Sequence, residues 1–186
     1  MPAADRNPES CGDCGFRWDA VGIDDVGPRV STAIDGFMQV IGSGGPSCAD
    51  RPAPGRWSVL EYSAHLRDVL ISIRERVILA SVLDNPTGTP MYREERIDLG
   101  FYALDTVGDV MTELEASGRL FVRTISALPA GSEDRPLVYS TITPIERTIR
   151  WAAAQAVHEC EHHLGDVRTN AELRALEQHL PVSKRR

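Results

Sequence analysis

The run His158-Glu159-Cys160-Glu161-His162-His163 decides how this chain is read. It sets three imidazoles and two carboxylates side by side in a segment with helical periodicity. Residues four apart on a helix stack on the same face. The run therefore holds two stacked pairs, His158 with His162 and Glu159 with His163. Either pair can give two ligands to a divalent ion such as zinc, nickel or iron. Such ligands inside a helix point to a bundle that builds its site from facing helices.

Working outward, the helix that carries the run has a clear start signal. Thr143-Pro144-Ile145-Glu146 offers an N-cap Thr, Pro at the first helical position and Glu at the third. The helix is expected to continue to about 180, before Pro181, with Gly165 as the place for a kink. Three further helices are expected. One covers 28–41, with Pro28 in its first turn and Val30, Ile34, Phe37, Met38 and Ile41 on one face. The next covers 58–83 and opens on the capping box Ser58-x-x-Glu61. The third starts at Asp105 or Thr106 and stops before Pro129-Ala130-Gly131. Residues 86–104 read as irregular, and Leu137-Val138-Tyr139-Ser140 as a short extended piece. The prediction is an all-α four-helix bundle over 28–186, preceded by an irregular N-terminal arm over 1–27 that carries a C-x-x-C pair.

Length and composition agree with one soluble domain: 186 residues, 42% hydrophobic and 25% charged. A net charge of -7 argues against nucleic acid as a partner, because phosphate binding needs a basic surface. No run of eighteen apolar residues exists to span a membrane. The polar, Pro-containing start does not resemble a secretory signal, so a cytoplasmic protein is expected. In that compartment Cys11, Cys14, Cys48 and Cys160 are not expected to form a disulfide framework. Cys11-Gly12-Asp13-Cys14 lacks the preceding strand of a thioredoxin-type redox pair and a second pair to complete a zinc ribbon. It reads as two incidental thiols on the arm or as a small accessory zinc site, with Cys48 as the further ligand. Cys160 reads as a small packed residue.

Two of the helices break the apolar rule for core faces in a matched way. Glu61, His65, Asp68 and Ser72 form one stripe; Gln155, Glu159, His163, Asp166 and Asn170 form another. Acidic stripes alone mean only solvent. A histidine beside carboxylates in each makes a shared metal site a real alternative. Alone, His65 reads as a half-buried core histidine; beside a helical His cluster in the same chain it also reads as a ligand.

His158-Glu159-x-x-His162 literally matches the H-E-x-x-H zinc protease motif, and Gly165 extends the match. The position of the third ligand in that pattern is Arg168, which cannot bind zinc, and no strands are expected for a protease cleft. The other pair carries a resemblance. Trp57-Ser58-Val59-Leu60-Glu61-Tyr62-Ser63-Ala64-His65-Leu66-Arg67-Asp68, together with His158 to Val167, resembles the DinB-like four-helix metalloproteins. That family includes the N-terminal domain of mycothiol-dependent maleylpyruvate isomerase. The resemblance covers about 28–180, and the C-x-x-C arm goes beyond the common core.

What the resemblance implies is a divalent metal held by His65, Glu159 and His163, with zinc the leading ion and nickel or iron the alternatives. Many relatives have His where this chain has Glu159; the mycothiol-dependent isomerase has Glu. It implies a metal-dependent transferase or isomerase that uses a low-molecular-weight thiol such as mycothiol on a small-molecule substrate. A metal-dependent hydrolase, or a non-catalytic metal- or small-molecule-binding protein, are the alternatives. His162 and Asp166 are the candidate catalytic groups, and Asp166, Asp68, Glu61 and His162 could orient the ligands. Arg67, Arg74, Arg147 and Arg150 could line a pocket for the thiol. Met91, Leu99, Phe101 and Tyr102 are apolar residues in an expected loop; a homodimer would bury them, and so would docking of the loop on its own chain.

Overall fold

The computed structural model describes residues 10–142 and 144–179. Four long helices carry the fold: α1 (Ile23–Gly44), α2 (Val59–Val82), α4 (Val107–Ser126) and α5 (Ile149–His179). A short helix, α3 (Arg93–Asp98), interrupts the segment between α2 and α4. A two-stranded antiparallel ribbon, β1 (Pro136–Val138) with β2 (Glu146–Thr148), precedes α5. The four-helix bundle read from the sequence is the observed architecture.

The helices do not alternate up and down. Contacts fix their directions. Arg29 meets Glu161, and Gly36 lies against Leu164 and Arg168, so α1 and α5 run parallel. Gly27 lies against Val122 and Gly118 against Ile34, so α1 and α4 are antiparallel. Arg67 meets Glu113 and Arg74 meets Thr124, which makes α2 and α4 parallel neighbours. Asn170 donates to the Trp57 carbonyl while His65 faces Glu159, which makes α2 and α5 antiparallel. The order is up, down, down, up, and the core between the helices is closed by Phe37, Ile41, Leu66, Leu70, Leu114 and Phe121, all buried.

Parallel neighbours need a long return. A helix of 24 residues is about 36 Å long. Residues 83–106 must travel that distance back along α2 before α4 can start. Polar contacts hold this crossover down. Arg76 donates to the Thr89 and Tyr139 carbonyls, Arg96 and the Tyr102 hydroxyl bind Asp68, and Arg67 reaches Asp105 at 3.1 Å. Gly88 sits where a Cβ would meet the Tyr139 carbonyl oxygen at 2.5 Å, so only glycine lets the crossover pass the β1 end this closely. Of the apolar residues expected in an irregular loop here, Tyr102 is buried and Met91 packs on the core; Leu99 and Phe101 stay exposed.

Two helix starts differ from expectation. α1 begins at Ile23, where the Gly22 N–H donates to the Asp25 carboxylate at 3.2 Å. Pro28 is inside the helix and not in its first turn. α5 begins at Ile149, not at Pro144. Thr143 lies outside the described residues. Pro144 and Ile145 are not helical, and 146–148 pair with β1 instead. The N-cap is Thr148, whose hydroxyl accepts from the Trp151 N–H at 3.1 Å. α5 then continues without interruption through Gly165. Among the described residues no helix is long and apolar enough to cross a membrane. The corrected start predicts that Thr148→Ala lowers stability by about 1 kcal/mol, read as a shift of the urea midpoint at unchanged slope; no shift would place the cap elsewhere.

Candidate metal centre

The two polar stripes meet inside the bundle. α2 supplies His65 and α5 supplies Glu159 and His163. One ligand atom from each of the three lies within 4.8 Å of the others. Glu159 Oε2 is 3.2 Å from His163 Nε2 and 3.7 Å from His65 Nε2. Trp57 covers His65 with ring centroids 5.3 Å apart, and Tyr62 covers His163 at 5.2 Å. His65 and His163 are both buried.

Glu159 and His163 are each held from behind by a neighbour. Gln155 Nε2 donates to Glu159 Oε1 at 2.6 Å, and Trp18 Nε1 donates to Gln155 Oε1 at 2.6 Å. Asp166 Oδ2 lies 2.8 Å from His163 Nδ1. With Nδ1 donating to Asp166, the Nε2 of His163 is directed at Glu159 and His65. This is the way a metal-ligating imidazole is commonly oriented.

The charges follow from these contacts. Burial raises the pKa of Glu159, but the imidazoles of His163 and His65 beside it outweigh burial and hold its carboxyl far below the usual range. Burial disfavours charge on His163 as well, yet Asp166 and Glu159 together push its pKa up to about 9. His65 goes the other way: burial lowers its pKa and keeps the ring neutral at pH 7. Both of its ring nitrogens are buried without a hydrogen-bond partner. An unpartnered buried imidazole is costly unless something else binds it. Two imidazoles and a carboxylate around that orphaned group fit a divalent ion. Among the described residues no fourth ligating side chain joins them.

His65 and Glu159 border a cleft of about 320 Å³ between α2, α5, the crossover and the turn after β1. Its cations are Arg76 and Arg93. The arginines expected there are elsewhere. Arg67 is tied to Asp68, Asp105 and Glu113, Arg74 to Glu75 and Thr124, and Arg150 to Glu133 and Asp134. Arg147 lies over the Trp151 ring. Of the four residues expected to orient the ligands, only Asp166 bonds to one. Asp68 anchors the crossover, and Glu61 caps α2 and pairs with Arg51. His162 faces His158 and the N-terminal arm, while its ring also lies 5.2 Å from that of His163 and its Nε2 3.8 Å from Asp166 Oδ2. Cys160 is fully buried, and burial raises its thiol pKa.

Sequence reasoning missed Trp18 and Arg76. Trp57 and Tyr62 lay within the quoted α2 segment without an assigned role. Trp57 precedes His65 by eight residues and Tyr62 by three, and both belong to the segment that carries the resemblance.

The family model described as the DinB superfamily matches residues 46–167, a span that contains His65, Glu159 and His163. No curated protein matches the chain in sequence. Among solved structures the chain is similar to YfiT from Bacillus subtilis, described as a probable metal-dependent hydrolase with an unusual four-helix bundle topology. The two share 15% identity with a TM-score of 0.76, over 94% of this chain and 96% of that one. At that identity the likeness establishes the fold. With more than half of its residues inside the matched span, the chain belongs to the DinB superfamily.

Proposed function

We propose that this protein is a divalent-metal-dependent transferase or isomerase that uses a low-molecular-weight thiol, mycothiol first among them, on a small anionic substrate. The observation that carries the reading is the three-ligand group His65, Glu159 and His163, of which His65 and Glu159 line a cleft, with no fourth ligating side chain beside it among the described residues. What a divalent ion would supply there is acidity, holding an arriving thiol as the reactive thiolate.

The chain's own groups suit that chemistry. Glu94 and Glu95 also line the cleft, Glu94 paired with Arg93. Glu159 is committed to Gln155 and the two imidazoles, and Asp166 to His163. Neither is free to take a proton from a substrate. Asp166 is a positioning residue in this reading, and His162 has no part in the cleft. Arg76 supplies the positive charge. It is buried, with no carboxylate in ion-pair reach among the described residues, and its guanidinium is fixed by Ser72, Thr89 and Tyr139. A carboxylate on the substrate would satisfy it. Arg93 contributes less, since Glu94 pairs with it. The likeness to YfiT supports a second reading, a metal-dependent hydrolase in which water takes the place of the thiol.

His65→Ala and His163→Ala are each expected to lose one equivalent of bound zinc and all thiol-dependent turnover. The assays are elemental analysis and conjugation of monochlorobimane with a panel of thiols that includes mycothiol. Retention of metal and turnover in both variants would refute the site. Turnover of p-nitrophenyl acetate without any thiol, lost in the same variants, would select the hydrolase. Asp166→Asn should weaken zinc affinity by about 10–100-fold while leaving the helix content unchanged.

The metal-free protein also predicts a pH dependence. A metal takes a neutral imidazole, whereas His163 keeps its proton below about 9. Zinc binding at pH 7 should therefore release the His163 proton, and affinity should rise with pH until about 9. Calorimetric titration in buffers of different ionisation enthalpy measures the released protons; zero release at pH 7 would contradict this assignment.

A further inference from the structure

The second stacked pair of α5 has partners of its own. His158 and His162 face the N-terminal arm, and Cys11 and Cys14 come from that arm to meet them. One ligand atom from each of these four residues lies within 4.8 Å of the other three. We propose that Cys11, Cys14, His158 and His162 form a second, structural metal site of the Cys2His2 type that takes zinc.

The arm is folded for this task. Ser10 and Arg17 pair as an antiparallel bridge, the Cys11 N–H donates to the Phe16 carbonyl at 2.8 Å, and the Gly15 N–H donates to the Cys11 carbonyl at 2.9 Å. Gly15 takes φ +71°, a conformation that suits glycine and lets the chain turn straight after Cys14. A C-x-x-C turn of this kind presents two thiols to one point, and the i, i+4 spacing of α5 presents two imidazoles. The thiols are free rather than joined. Ligands of tetrahedral zinc are about 3.3–3.8 Å apart, given Zn–S near 2.3 Å and Zn–N near 2.0–2.1 Å. From within 4.8 Å the four groups need to draw in by at most about 1–1.5 Å to reach that spacing.

A separate observation points to a missing ligand. Both ring nitrogens of His158, and Nδ1 of His162, are buried without a hydrogen-bond partner. Phe16 and Trp18 each pack on His158 at 5.1 Å, which keeps water off that side. Such nitrogens are expected to be paired. Two thiolates balance the charge of a divalent ion, and thiolate with imidazole selects zinc over magnesium or calcium. Four protein ligands leave no open position, so the site holds structure and does no chemistry. Cys48 takes no part: it is buried at the end of α1, its thiol directed at the Ile41 carbonyl.

The site would pin the segment that carries Trp18. Through Gln155, Trp18 holds one oxygen of Glu159, so the arm metal supports the orientation of the other centre. Cys11 and Cys14 lie outside the span matched by the family, His158 and His162 inside it, and the proposal does not depend on the function proposed above.

Cobalt substitution separates the two centres, because only the arm site contains sulfur. The full chain, stripped and kept reduced, is expected to take up two equivalents of cobalt(II) and to show sulfur-to-cobalt charge-transfer absorption in the near ultraviolet. The Cys11→Ser/Cys14→Ser double variant should bind one equivalent fewer and lose the band. His163→Ala should also bind one fewer but keep the band. Absence of the band in wild-type protein overturns the proposal whether or not any variant folds. So does a metal count in the double variant equal to that of wild type. If His163→Ala leaves the count unchanged while the band is present, the arm site stands and the catalytic centre proposed above falls.

Discussion

Two parallel neighbours, α2 and α4, impose the constraint from which the rest of the structure follows. An up-down-up-down bundle would join them with a few residues. Here the chain must return along the whole of α2, and the return passes directly over the polar stripe that α2 turns inward. The crossover thus forms one wall of the cleft beside His65. The same route explains why α2 carries Asp68, Ser72 and Arg76 where a simple bundle would place apolar side chains or leave them to solvent. Asp68 and Arg76 anchor the returning chain, and Ser72 steadies Arg76.

The interior that results holds more charge than a hydrophobic core tolerates without compensation. Glu159 stays ionised between two imidazoles, and His163 stays protonated between two carboxylates. Within this trio, His65 is left neutral with nothing to bind. The imbalance is local and directional. The negative groups lie on α5, and the uncommitted imidazole faces them from α2. An arrangement of this kind costs stability as it stands and recovers it when a cation arrives, which is the usual behaviour of a preorganised binding site.

Much of this was legible in the sequence because it depends on local periodicity. The helices show in their spacing, and the His65 stripe and the Glu159–His163 stripe show as polar faces where apolar ones belong. What failed depended on distant contacts. Thr143-Pro144-Ile145-Glu146 has every local mark of a helix start, yet 146–148 are taken by pairing with β1, and Thr148 caps the helix instead. Arg76 looked like any charge on a helix face until the crossover buried it. The choice between the two stacked pairs was undecidable for a related reason. They differ by one residue, about 100° around the helix. Periodicity shows that both exist, but only the position of α2 and of the arm shows which neighbour each one meets. The structure gives each pair a different partner, so the alternatives were never exclusive.

The placement of the aromatic residues has a spectroscopic consequence. The chain has three tryptophans. Trp57 touches His65, Trp18 touches His158, and Trp151 stacks on Trp18 at 6.1 Å. All three therefore emit from beside the two faces of α5, and none from the packed interior around Phe37 and Phe121. Intrinsic fluorescence in this protein follows the opening of those faces, while circular dichroism follows the helices themselves. Where the two signals part during unfolding, the gap between them measures how far the centres loosen before the bundle gives way.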